Sequence, residues 1–154
     1  MKSSEFSANS EQNWPWAESL DALVAARDHH SILFENGAVR VVQTRVLPGH
    51  LVALHTHRWP CVLFILSWSH ILRRNHLGRV KLDTRQAFEV PQLNMPIWQE
   101  PRAPHSLENV GGTEIHTIQV EIKTTREERT MLAFLYLQTE EGSPGLEAGG
   151  KTVQ

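Results

Sequence analysis

A single cysteine, Cys61, in 154 residues excludes an intramolecular disulfide and suits a reducing compartment. Neither sign of charge dominates: 15 Lys and Arg stand against 17 Asp and Glu. The basic stripe that nucleic acid demands is therefore missing. The longest strongly apolar run, "CVLFILSW", has eight residues, against about 20 for a membrane-spanning helix. The N-terminal "MKSSEFSANSEQNWPW" is polar and holds no apolar core of a signal peptide. These absences point to a cytoplasmic protein with neither a nucleic-acid nor a membrane partner. Internal repeats, an interdomain linker, a nucleophile motif, a phosphate-binding glycine loop and a paired-carboxylate pattern are also missing.

What the chain has is histidine, nine in all. Three fall in "GHLVALHTHRWPC", where one threonine separates His55 from His57. In a strand, residues i and i+2 point to the same face, so both imidazoles can reach one ion. The same spacing also fits two histidines on a wet surface, and spacing alone does not choose between them.

Composition divides the chain into a disordered polar tail (1–13), a single domain (14–141) and a flexible tail (142–154). In "SLDALVAARD", Leu20, Leu23 and Val24 have the spacing of an amphipathic helix, with Ser19 as N-cap. From Ser31 the period shortens to that of strands. "SILFEN", "AVRVVQTRVL", "LVALHTH", "CVLFILSWSHILRR", "RVKLD", "MPIWQ", "APHSLENV" and "TEIHTIQVEIK" are bounded by turn dipeptides such as Asn36-Gly37 and Pro48-Gly49. About eight short strands predict an all-β sandwich or barrel. Beyond it, Thr125 to Glu128 fits a capping box, and Met131, Phe134, Leu135 and Gln138 continue at helical spacing.

Gly111-Gly112 predicts a two-residue hairpin between the last two strands. Its register puts His105, Leu107, His116, Ile118, Val120 and Ile122 on one face, and Thr117, Gln119 and Glu121 on the other. The first face is the more apolar, so His105 and His116 point inward on this reading.

Gly49-x5-His55-x-His57, followed by an inward His105 and by Asn109, resembles the paired motifs of the cupin superfamily. Those motifs run G-x5-H-x-H-x(3,4)-E-x6-G and P-x-G-x2-H-x3-N, and are matched in part here by "GHLVALHTHRWPCVLFILSW" and "PRAPHSLENVGG". The similarity covers residues 31–123. The strings "FENGAVRVVQTRV", "HTHRWPCVLFILSW" and "PHSLENVG" further look like small single-domain cupins linked with beta-alanine degradation. The resemblance implies a double-stranded β-helix (jelly-roll) barrel with short N- and C-terminal helices. It also implies one divalent ion (Fe, Ni, Zn, Cu or Mn) on His55, His57 and His105. The motif's glutamate has no counterpart; Cys61 stands in its place, either as a fourth, thiolate ligand or as inert packing.

Around that set, His116 is either a support for the ligands or a core histidine. His29, His30, His70 and His76, near element ends or turns, are expected in solvent. Alternation turns Arg58 away from the ion, Asn109 reads as a turn residue, and Trp59, Trp68 and Trp98 as packing. Three open functions follow: a metal-dependent oxygenase, isomerase or lyase acting on a small carboxylate or carbonyl compound; a non-catalytic small-ligand or metal-binding module; and a metal-free barrel. Apolar residues on both sides of "LVALH" predict that both faces of that strand are covered, by another sheet, the terminal helices or a second subunit, and a homodimer is expected.

Overall fold

The computed structural model describes residues 14–86, 89–123 and Glu128. The chain divides into two units at residue 123, and the first carries the fold. The expected C-terminal helix lies outside the described residues except for Glu128, which is helical. Both expected tails also lie outside them.

The N-terminal amphipathic helix is shorter than its periodicity predicts. A 3-10 turn at Glu18–Leu20 precedes α1 (Ala22–Ala25). Asp21 rather than Ser19 caps α1, its carboxylate accepting from the Leu23 backbone N–H at 3.0 Å. The face turned to the barrel is Ala22 and Ala26, while Val24 is exposed.

Nine strands follow: β1 (His30–Glu35), β2 (Val39–Val46), β3 (Leu51–His57), β4 (Cys61–Ser67), β5 (Ile71–Asn75), β6 (Val80–Asp83), β7 (Pro96–Gln99), β8 (Arg102–Asn109) and β9 (Ile115–Ile122). They form a five-stranded sheet in the order β1-β2-β9-β4-β7 and a four-stranded sheet in the order β3-β8-β5-β6. Every pairing is antiparallel. Between β2 and β9 the chain changes sheet at every connection except the β5–β6 hairpin, the winding of a jelly roll. Val46, Val52, Ile71, Ile115 and Ala26 form the apolar core between the sheets.

Two expectations fail here for one reason. "CVLFILSWSHILRR" is not one strand but β4 and β5, which lie in different sheets. Likewise Gly111-Gly112 does not join a hairpin, because β8 and β9 also lie in different sheets. Gly111 is needed for a close approach instead: a Cβ there would run into Ser69 Oγ and the His70 backbone nitrogen. Asn109 locks this corner, as a turn residue should. It is fully buried, its amide donates to the carbonyls of Val46 and Thr113 at 2.8 Å each, and its oxygen accepts from Gly111 N–H at 3.1 Å.

The inward face of β9 is accordingly the reverse of the expected one. Ile115, Thr117 and Gln119 line the interior, with the fully buried Glu121 at the same parity. His116 is on the opposite face, 2.8 Å from the Gln43 amide, and so does not support the ligand set.

Candidate metal centre

The two sheets enclose a cavity of about 310 Å³, and four histidines line it: His30, His55, His57 and His105. Strand β3 supplies His55 and His57, on one face as the period of two requires. β8 pairs with β3 so that His105 lies directly opposite His55. Their ring centroids are 4.4 Å apart, and His57 is 5.8 Å from His105.

The fourth imidazole is one that its place beside a turn predicts to be solvated. His30 is only 5% exposed, and its ring centroid lies 4.8 Å from His55 and 5.5 Å from His57. Ligand atoms of His30, His55 and His57 all come within 4.8 Å of one another. That mutually close group leaves out His105 and Cys61. His70 and His76 are exposed as expected, and His29 is half-buried against His50.

Chemistry fixes the tautomers of three of these rings. Nδ1 of His55 lies 2.7 Å from the Ala53 carbonyl, Nδ1 of His105 2.9 Å from that of Ala103, and Nδ1 of His30 3.0 Å from that of Ala26. A carbonyl oxygen only accepts, so each Nδ1 carries the proton. In the neutral ring Nε2 then keeps its lone pair, which is the form a metal ligand needs. Burial, more than any other influence, holds all three well below the ordinary histidine range. His30 falls to about 4 and His105 to about 3. Repulsion from neighbouring histidines adds to this, with Arg102 and Arg73 also acting on His105. These three rings are therefore neutral at neutral pH and ready to ligate.

His57 has a different support. Its Nδ1 lies 3.2 Å from Glu121 Oε1 and 2.8 Å from Gln119 Nε2. With a proton on Nδ1 the ring donates to the carboxylate; without one it accepts from the amide. The Gln119 amide also donates to Glu121 at 2.8 Å, and Arg40 Nε donates to the other carboxylate oxygen at 2.5 Å. Arg40 in turn reaches Asp21 at 3.0 Å, tying the α1 cap to the same network. Burial alone would raise the Glu121 carboxyl, but the hydrogen bonds from His57 and Arg40 outweigh it and hold it ionised.

The motif's glutamate has no counterpart on β4, but Glu121 on β9 puts a buried carboxylate behind His57. Glu121 is directly opposite Cys61 in the β4–β9 register. Cys61 itself is buried, and desolvation followed by the Glu121 charge pushes its thiol up to about 11. Arg58 turns outward, as alternation predicts, and stacks near Trp59 beside Glu18. Of the three tryptophans expected as packing, Trp68 lines the cavity, Trp59 faces the Arg40 guanidinium, and Trp98 is half exposed.

No family model matches the sequence. No curated protein matches it either. Solved structures do. A cupin domain from Bordetella pertussis is 20% identical over 62% of this chain and 92% of its own, with a TM-score of 0.50. A double-stranded β-helix protein from Klebsiella pneumoniae is 18% identical over 61% of this chain and 75% of its own, with a TM-score of 0.45. A polyketide cyclase from Streptomyces resistomycificus is 16% identical over 62% of this chain and 64% of its own, at 0.42. At these identities the likeness is one of fold.

Proposed function

We propose that this chain, which has the cupin double-stranded β-helix fold, binds one divalent metal ion in its histidine cluster and acts with it on a small carboxylate or carbonyl compound. The observation that carries this reading is the anchoring of the imidazoles: backbone carbonyls hold His30, His55 and His105 with Nε2 free, and a buried carboxylate stands behind His57. Such supports orient metal-binding histidines and raise their basicity. His55, His57 and His105 are the proposed ligands, and His30 takes the fourth place ahead of Cys61. An all-nitrogen set suits Fe, Ni, Cu or Zn. Bound there, the ion supplies Lewis acidity, or redox chemistry if it is iron or copper.

The chain's own residues do the rest. Glu121 and Gln119 brace His57 at Nδ1, Val46, Val52, Ile65 and Ile115 exclude water from one side, and Gln99 offers a neutral hydrogen bond. The similarity to small cupins linked with beta-alanine degradation fits a short carboxylate. Among the described residues no helix is long and apolar enough to cross a membrane, and a cytoplasmic homodimer completes the reading. In support of a dimer, the edge strand β1 leaves Ile32, Leu33 and Phe34 about half exposed.

Elemental analysis of untagged protein purified without chelators tests the proposal. One equivalent of a single metal per chain is expected. Substoichiometric metal of mixed identity would overturn it, and a stoichiometric metal with no turnover of any small carboxylate would leave a binding module.

A further inference from the structure

Two residues along β5 from Ile71 of the apolar core, the cavity wall changes character. Arg73 on β5 and Arg102 on β8 line it beside His105. Neither makes an ion pair among the described residues, whereas Arg40, Arg45, Arg74 and Arg85 each do. Burial lowers both guanidinium pKa values, that of Arg102 to about 10, with Arg73 repelling it as a second cause. Two partly desolvated like charges facing one space, with no counter-charge, form an arrangement that costs free energy. It becomes favourable when an anion enters.

A second cavity, of about 450 Å³, meets the first at this point. Arg73, Gln99, Arg102 and His105 line both. Arg74 and Lys81 add positive charge to its wall, against one carboxylate, Glu100. Glu108 already neutralises Arg74 at 3.0 Å, so the net cations facing the space are Arg73, Lys81 and Arg102. With Glu100 counted the wall still carries an excess of positive charge, and such a cleft concentrates anions and speeds their arrival. On the far side of the arginines the inner cavity is bounded by Leu63, Ile65, Trp68, Ile71 and Ile115. Its volume is at the small end of ligand sites, which run from about 300 to 1,000 Å³.

We infer that the substrate is a small organic carboxylate, drawn in through the basic outer cavity and held at its headgroup by Arg73 and Arg102, with an apolar body lying among Ile65, Trp68 and Ile71. The headgroup then sits next to His105, so the carbons nearest the carboxylate face the histidine cluster. This rests on the proposed function only in taking the histidines as the reacting end. The arginine site itself needs no ion.

The test compares hexanoate, its neutral isostere hexanamide, and hexylphosphonate by calorimetric titration and intrinsic tryptophan fluorescence. It uses wild-type protein as purified and after chelation. Hexanoate should bind at least tenfold more tightly than hexanamide in both forms. Arg73→Gln and Arg102→Gln should each remove most of that preference and leave hexanamide unchanged, and Arg102→Lys should recover part of it. Equal binding of hexanoate and hexanamide would overturn the proposal. So would a hexanoate preference that survives both glutamine variants, or one that vanishes on chelation, since the ion alone would then hold the anion. Tenfold tighter binding of the phosphonate would overturn the carboxylate assignment. Should Arg102→Gln not fold, Arg73→Gln with the Arg102→Lys variant decides the same question. Protein that binds no metal but keeps the carboxylate preference would refute the metal reading and leave this one standing.

Discussion

His57 Nδ1 lies 3.2 Å from Glu121 Oε1, so a proposed ligand histidine on β3 is braced by a carboxylate from the opposite sheet. Arg40, buried with it, holds the second oxygen. Glu121→Gln keeps the shape and removes the charge. It should lower metal affinity about tenfold to a hundredfold, the usual cost of losing such a support. Arg40→Met should act on stability instead, because it strands a buried carboxylate, at about 3–5 kcal/mol. Denaturant unfolding of the metal-free proteins separates the two effects. A Glu121→Gln variant with wild-type affinity would remove the carboxylate from the site.

The four imidazoles make separable contributions. Alanine at His55 or His57 should cut metal affinity by more than about a hundredfold, beyond the loss of a mere support. His76→Ala, on an exposed turn, should change nothing. His30→Ala and His105→Ala decide the ligand set, because His30 belongs to the mutually close group and His105 packs nearest His55. Full occupancy in the His105 variant together with loss in the His30 variant would assign the ion to His30, His55 and His57.

Acid should destabilise the metal-free protein early. His30 and His105 take up protons only at about 4 and about 3 when folded, but near 6.5 when unfolded. Between those limits the unfolded chain binds more protons, so stability falls as pH falls, by up to about 1.4 kcal/mol per pH unit for each histidine. His55, also displaced downward, adds to the slope. Above pH 6.5 these groups contribute no dependence. Thermal melts from pH 8 to pH 4 should show a flat upper limb and a steep fall below. A midpoint that holds steady down to pH 4.5 would contradict the neutral, buried cluster.

Cys61 should prove inert. Its thiol, pushed up to about 11 by burial and Glu121, has little thiolate at neutral pH. Alkylation of the folded protein should be slow, and Cys61→Ser should retain metal with a modest loss of stability. Cobalt-substituted wild type should lack a sulfur-to-metal charge-transfer band. A strong band lost in the serine variant would make Cys61 a ligand.

Strand content and the β3 histidines are readable in the sequence because both rest on local pattern: a period of two between glycine and proline turns. Contacts between sheets are not local. The break within "CVLFILSWSHILRR" at Trp68-Ser69-His70 carries no glycine or proline, so nothing marks the change of sheet. β9 misleads for a functional reason. Its polar residues Thr117 and Gln119 face the cavity with the buried Glu121 at the same parity, and Ile118, Val120 and Ile122 take the other face. Local patterning fails where a polar interior serves a site.

His30 hides behind a bulge. Ile32 pairs with Val42 and Phe34 with Val41, leaving Leu33 as the extra residue. Counted evenly back from the Asn36-Gly37 turn, His30 would sit opposite Arg45 and face outward. The extra residue sets it against Thr44, which lines the cavity. One irregular residue thus turns an unremarkable histidine into a candidate ligand.

The same bulge couples the site to the rim of the molecule. β1 is hydrogen-bonded on one side only, and His30 is its first residue. An ion shared by His30 and His55 would act as a clasp, fastening the border strand of one sheet to the border strand of the other. With the clasp open, β2, the His30 bond to Ala26 and the Lys123–Glu35 ion pair would still retain that border, and Ile32, Leu33 and Phe34 lie along it. Chelation would then loosen the strand most able to pair with another chain, making the loss of one ion a matter of solubility as well as chemistry.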